Sequence, residues 1–210
     1  VTQAIDDIVH HASIIPVLTI ARMDDAVPLA KALVDGGLKV LEITLRTEAA
    51  LGAIEAIARD VPGAIVGAGT VATPNDLRKA RDAGARFAVS PGLTEQLVRD
   101  AVLPLLPGVA TASEIIRGRE LGFSHFKFFP AESSGGIAAL KAFAGPFADI
   151  RFCPTGGITA KIAPDYLALA NVMCVGGSWM APQSLIDARD WGSIAKLARE
   201  AAGLRKGGAL

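Results

Sequence analysis

Aromatic side chains are scarce in this 210-residue chain, which holds eight Phe, two Trp and one Tyr. Half of the residues are nevertheless apolar. Ala, Val, Leu and Ile therefore make up the core material, which suits small side chains packed between helices and a parallel sheet buried on both faces. Cysteine occurs twice, as Cys153 and Cys174, both inside apolar runs. That spacing offers neither a disulfide framework nor a thiolate metal site, and it predicts two buried free thiols. Histidine occurs three times. His10 and His11 fall on an amphipathic segment and read as a solvated helix face, while His125 opens an apolar run and reads as structural. No ligand cluster forms from them, so no metal is expected. Net charge is also missing, since Lys and Arg number 21 and so do Asp and Glu. A balanced chain advertises no nucleic-acid or anionic-membrane partner; an anionic ligand would need a local site. No apolar run reaches the length of a membrane span. The opening VTQAIDDIVHHAS has neither a basic leader nor an apolar signal core, which leads to the expectation of a cytoplasmic protein.

What is present is alternation. Short runs rich in β-branched residues precede helical patterns eight times: IIPVLTI (14–20), KVLEITL (39–45), AIVGAGT (64–70), RFAVSPG (86–92), LPLLPGVA (103–110), HFKFFPA (125–131), IRFCPTGG (150–157) and NVMCVGG (171–177). Helix starts are marked by Asp24, by Thr47, by Thr73 before Pro74, and by Thr111 with Glu114 in a capping-box pattern; Gly36 and Gly37 mark a stop. Strand–helix alternation implies parallel strands with right-handed crossovers. Eight units predict a closed (β/α)₈ barrel as one domain over residues 1–210, with an extra N-terminal helix over 2–12 covering its bottom. An open doubly wound sheet is the alternative, but the glycine-rich dinucleotide fingerprint is missing after the first strand, and no cofactor is expected.

In such a barrel the chemistry sits at the carboxyl ends of the strands. Lys127 interrupts HFKFFPA between Phe126, Phe128 and Phe129. A lysine inside an apolar strand calls for a reason, because the ammonium is almost never buried without a partner. Desolvation would supply a neutral, nucleophilic amine. A buried ion pair would explain the placement equally well, and placement alone leaves both open. Glu42 and Arg46 share the parity of the second strand, so both point to one side. They suit proton transfer and carboxylate binding respectively, or they simply satisfy each other or Lys127. Thr70 ends GAGT, where Gly67 and Gly69 permit close backbone approach, and its hydroxyl is placed either to hold a ligand or to make a turn. Ser90, Pro91, Gly92 and Glu132 are read as walls without assigned chemistry. The loops CPTGGIT and CVGGSWM follow strands seven and eight. There Gly156, Gly157, Gly176, Gly177 and Ser178 form a candidate anion cradle, unless the glycines serve only tight turns.

The motifs KVLEITLRTEAAL, AIVGAGTV, FAVSPGLTE, FKFFPAE, RFCPTGGI and CVGGSW occur in order, and over nearly the whole chain the sequence resembles the 2-keto-3-deoxy-6-phosphogluconate (KDPG) and 4-hydroxy-2-oxoglutarate aldolases. The resemblance implies a class I aldolase of the Entner–Doudoroff route that cleaves the phosphorylated keto-deoxy acid into pyruvate and glyceraldehyde 3-phosphate. It implies Lys127 as the Schiff-base lysine and Glu42 as the acid/base. Arg46 and Thr70 would bind the carboxylate, the glycine loops with Ser178 the phosphate, and Thr155 the sugar-chain end. At that position galactonate-preferring relatives carry an apolar residue. A homotrimer is implied as well. Two other functions use parts of the same pattern. A phosphosugar isomerase would use Glu42 and the cradle without an imine at Lys127, and a sensor would keep Arg46 and the glycines alone.

Overall fold

The computed structural model describes Ile5, Ile8 and residues 12–204. Among the described residues nine strands appear: β1 (Ile14–Leu18), β2 (Val40–Thr44), β3 (Ile65–Gly69), β4 (Ala88–Val89), β5 (Leu105–Leu106), β6 (Gly108–Val109), β7 (His125–Phe128), β8 (Arg151–Pro154) and β9 (Val175–Gly177). Between and after them run α1 (Met23–Asp35), α2 (Ala50–Asp60), α3 (Pro74–Asp82), α4 (Glu95–Arg99), α5 (Ala112–Glu120), α6 (Gly136–Phe143), α7 (Ala163–Leu167), α8 (Gln183–Asp187) and α9 (Trp191–Ala202). A 3₁₀ turn at Glu132–Ser134 follows β7. Every ladder is parallel, as strand–helix alternation requires.

The closed eight-strand barrel expected from the sequence is not what forms. The strands make a six-stranded sheet, ordered β5-β4-β3-β2-β1-β9, and a separate three-stranded sheet, β6-β7-β8. Pro107 supplies one reason. It divides LPLLPGVA into β5 and β6, and having no N–H it can accept from the next strand but cannot donate. Its carbonyl takes the Lys127 N–H at 2.9 Å, so the chain changes partner there and leaves the first sheet for the second. At the other junction β8 and β9 form no ladder; isolated bridges join Phe152 of β8 to Val172 before β9, and Thr155 after β8 to Gly176 of β9. The pairing at Phe152 is a single exchange with Asn171 and Met173 and does not extend into a ladder.

Alternation along the strands sorts the apolar residues into two clusters. On one side Leu41, Ile43, Phe126, Phe128 and Phe152 pack beneath the helices. The three phenylalanines are fully buried, each worth about 1.5–3 kcal/mol of transfer free energy. On the other side Ile15, Val40, Phe87, Val89, Leu106, Cys153 and Cys174 form an inner cluster. Both cysteines are buried, and neither forms a disulfide among the described residues. Ile5, which is helical, joins this inner cluster with Ile8 packed against it. Of the rest of the N-terminal helix expected over 2–12, Ala12 stands outside any helix and packs against the same cluster, while the other residues, including His10 and His11, lie outside the described residues.

Two helix starts follow the sequence and two do not. Thr73 with Asp76 and Thr111 with Glu114 form complete capping boxes. Thr47 does not cap α2, which starts three residues later; its hydroxyl donates instead to Ile20 O at 2.6 Å. Asp24 and Asp25 lie inside the first turn of α1, behind an N-cap at Arg22 that makes no side-chain bond. Among the described residues no helix is long and apolar enough to cross a membrane.

Candidate active site

The carboxyl ends of β1, β2, β7, β8 and β9 surround a cavity of about 420 Å³. Its lining comes from Val17, Leu18 and Thr19 of the β1 end, Arg46 after β2, Phe129 after β7, Thr155, Gly156, Gly157 and Ile158 after β8, and Gly177 and Ser178 at β9. Ala181, Pro182, Gln183 and Ile186 complete the wall from the α8 side. This is where a parallel α/β architecture places its ligands.

Lys127 and Glu42 lie beside this space, not among its lining residues. Lys127 Nζ donates to Glu42 Oε1 at 3.0 Å, and both side chains are almost wholly buried. The pairing follows from register. Glu42 sits opposite Val17 of β1 and Gly67 of β3, while Lys127 sits opposite Gly108 of β6 and Cys153 of β8. Inward side chains of the two sheets therefore meet across the inner space. Phe126 and Phe128, which flank the lysine in sequence, point the other way into the helix-covered cluster. Of the three neighbouring phenylalanines, Phe129 has its ring over the amine, at 5.1 Å from Nζ to the centroid. Cys153 lies next to Lys127 in the sheet, and a contact with the Cys174 thiol draws its own thiol below the ordinary value against the effect of burial.

The glycines of GAGT make room for protein atoms. A Cβ on Gly69 would stand 2.2 Å from Glu42 Oε1, and one on Gly67 would overlap the Phe87 ring at 2.4 Å. Gly69 thus lets the carboxylate lean along β3 toward the cavity end. Thr70, next in line, has φ +58°, a left-handed conformation that is unusual for a β-branched residue and costs about 1–3 kcal/mol. Outliers of this kind cluster at active sites, though Thr70 is not among the lining residues. Arg46 does line the cavity and has no ion-pair partner among the described residues. The turn carrying it is anchored by Thr44, whose hydroxyl donates to Leu18 O at 3.0 Å and contacts Thr19 Oγ1 at 3.0 Å. Thr47 fastens the same turn on its far side.

The two glycine loops divide the expected work. Gly156 and Gly157 have φ +106° and +79°, which only glycine adopts without strain. Gly176 is not a lining residue; its missing side chain admits Thr155 Oγ1, which a Cβ would meet at 2.2 Å. Gly177 likewise admits the Trp179 ring. The N–H groups of Gly157 and Ser178 donate to no partner among the described residues, which leaves donors free at the cavity edge. Behind the first loop, the Tyr166 hydroxyl donates to Glu132, whose Cβ sits 2.8 Å from where a Cβ on Gly157 would be. Burial, with the Glu132 carboxylate beyond it, pushes the Tyr166 phenol upward. Ser90, read as a wall, is fully buried and donates to Gly92 O at 2.7 Å. His125 begins β7 and shares a hydrogen bond with Ser124 Oγ at 3.0 Å. Thr19, Phe129, Ile158, Gln183 and Ile186 are lining residues that sequence reasoning missed. Parity along β1 could have given Thr19, but no pattern in the sequence marks a short helix that folds back over a site.

The family model described as "Aldolase: KDPG and KHG aldolase" matches residues 5–197. The chain is 55% identical over 191 residues to the KHG/KDPG aldolase of Escherichia coli (strain K12), covering 90% of each sequence. Among solved structures it is similar to the 2-keto-3-deoxy-6-phosphogluconate aldolase of Zymomonas mobilis ZM4 with 3-phosphoglycerate, with a TM-score of 0.95 and 48% identity over the full length of both. It also matches a KDPG aldolase from Legionella pneumophila with pyruvate captured at low pH as a covalent carbinolamine intermediate. That match has a TM-score of 0.91 and 46% identity, covering 93% of this chain and 96% of the other.

Proposed function

The chain belongs to the KDPG and KHG aldolase family, and from that premise we propose that it cleaves 2-keto-3-deoxy-6-phosphogluconate to pyruvate and glyceraldehyde 3-phosphate through an imine on Lys127. The observation that carries the reading is the buried Lys127–Glu42 contact beside a cavity with a cation on one side and free backbone donors on the other.

Nucleophilic attack requires the amine in its neutral form, and Glu42 at 3.0 Å is placed to take its proton. Lys127 adds to the C2 ketone; loss of water leaves a protonated imine that accepts electrons. Glu42, directly or through a water, removes the C4 hydroxyl proton, the C3–C4 bond breaks, and glyceraldehyde 3-phosphate departs. The remaining enamine takes a proton at C3, and hydrolysis releases pyruvate and the free amine. Arg46 holds the carboxylate end by charge-assisted hydrogen bonds, with Thr70 at the neighbouring strand end. The N–H groups of Gly157 and Ser178, with the Gly156 turn and the β9 glycines around them, hold the phosphate. Cleavage of 4-hydroxy-2-oxoglutarate follows from the same carboxylate and imine sites, since only the far end differs. A single-domain chain, a cytoplasmic location, the Entner–Doudoroff route and a homotrimer belong to the same proposal, and sedimentation would report the last. The direct test adds the keto-deoxy phosphosugar and follows pyruvate release. Turnover is expected; no pyruvate would overturn the reading.

Thr155 carries the expectation about epimers. It is buried, and its hydroxyl makes only long contacts to Cys153, 3.5 Å to the carbonyl oxygen and 3.9 Å to Sγ, which leaves it available to a substrate hydroxyl. The protein should favour the gluconate-derived over the galactonate-derived substrate. Thr155→Val should narrow that ratio of kcat/KM by about threefold to tenfold, the worth of one neutral hydrogen bond. Equal kcat/KM on both epimers before mutation would show the inference to be wrong.

A further inference from the structure

Asp25 is a charged residue that the reaction above does not use, yet it is only 2% exposed. It lies in the first turn of α1, and two arginines from different parts of the chain meet it. Arg22 Nε donates to Oδ2 at 2.7 Å. Arg189 Nε stands 3.1 Å from Oδ1, close enough for an ion pair but not aligned as a hydrogen bond, so Oδ1 accepts none among the described residues. Both arginines lead to α8. Arg22 Nη2 reaches Ile186 O at 3.5 Å. Arg189 sits at the joint between α8 and α9, with φ +53° and its N–H on Ile186 O. Gln183 and Ile186 of α8 line the active-site cavity on one side and the small cleft holding Asp25 and Arg22 on the other. One buried carboxylate thus ties the helix after β1 to the back of the wall beside Ser178.

We propose that Asp25, acting through Arg22 and Arg189, is a positioning residue that sets the α8 wall for the phosphate end of the substrate. The inference rests on the aldolase reading given above. Pyruvate has no phosphate end, so imine formation with pyruvate does not depend on this wall. The burial of Asp25 gives the link its stiffness, because a desolvated carboxylate that loses one cation cannot turn to water for compensation. The left-handed Arg189 makes the joint testable by itself, since glycine adopts φ +53° freely and would keep the backbone while deleting the guanidinium.

The experiment compares the unmutated enzyme with Asp25→Asn and Arg189→Gly in two assays. One is steady-state kinetics on the phosphorylated keto-deoxy acid; the other is borohydride trapping of pyruvate. Both variants should raise KM about tenfold with kcat changed less than threefold, while the rate of pyruvate trapping stays at the unmutated level. Unchanged KM in Arg189→Gly would overturn the proposal, even if Asp25→Asn failed to fold. Parallel loss of trapping and of KM in Arg189→Gly would overturn it too, since that marks a general disturbance. Absence of trapping in the unmutated enzyme would instead count against the aldolase reading.

Discussion

Incubation with pyruvate and borohydride should fix one pyruvate-derived adduct per chain, on Lys127, and abolish activity. The expectation rests on the placement of the amine. Lys127 is 5% exposed and held 3.0 Å from a carboxylate that can accept its proton. No other lysine is buried among the described residues, so a competing site would have to compete from solvent. Lys127→Ala should block labelling and lower kcat by more than about 10⁴-fold, the scale on which loss of a covalent nucleophile is felt. Stability complicates that variant, because it leaves Glu42 buried without its partner, a change that typically costs about 3–5 kcal/mol. The double variant Lys127→Met with Glu42→Gln removes both charges and should recover most of that loss while remaining inactive and unlabelled. Recovered stability would show that the loss in Lys127→Ala comes from the orphaned Glu42 charge, which leaves the labelling of Lys127 as the test of its chemistry. Turnover without a trapped adduct would defeat the imine mechanism, and an adduct mapped to another lysine would remove Lys127 from it.

Much of this arrangement was legible in the sequence, though some of it for the wrong reason. Lys127 drew attention because phenylalanines flank it, yet Phe126 and Phe128 face the opposite side, as alternation along a strand demands. Its burial comes from inward residues of other strands, which no local window reveals. Parity along β2 ends with the strand at Thr44, and it is the turn after it that brings Arg46 to the cavity lining. By sequence the glycines suit close backbone approach, an anion cradle or tight turns. Four of them instead admit Phe87, Glu42, Thr155 and Trp179, long-range neighbours whose identity depends on the folded packing. Barrel closure failed as an expectation because counting strand–helix units says nothing about whether adjacent strands form a ladder. That depends on Pro107, which switches the chain from one sheet to the other, and on β8 and β9, which form no ladder. Asp25 follows the Asp24 that spacing marks as a helix cap, and its burial between two arginines, one of them 164 positions along, is beyond any local pattern.

Glu42→Gln should lower kcat by about 10²–10⁴, the usual contribution of a positioned general acid/base. The substitution is chosen to leave everything else in place. An amide has nearly the volume of the carboxylate, fits the space that Gly69 leaves beside it, and can still accept the Lys127 hydrogen bond through its carbonyl oxygen. What it cannot do is take a proton, either from the amine before attack or from the C4 hydroxyl during cleavage. These two duties predict different patterns. If the carboxylate serves only the amine, pyruvate trapping should fall as far as turnover does. If it also serves the C4 hydroxyl, turnover should fall further than trapping, because imine formation with pyruvate involves no carbon–carbon cleavage. The 3.0 Å contact with Lys127 supports the first duty, and the lean of Glu42 toward the cavity end, along the gap at Gly69, supports the second. We expect trapping to survive in part and cleavage to be nearly lost. A folded variant with near-normal turnover would remove Glu42 from the mechanism and leave the buried pair as a structural contact.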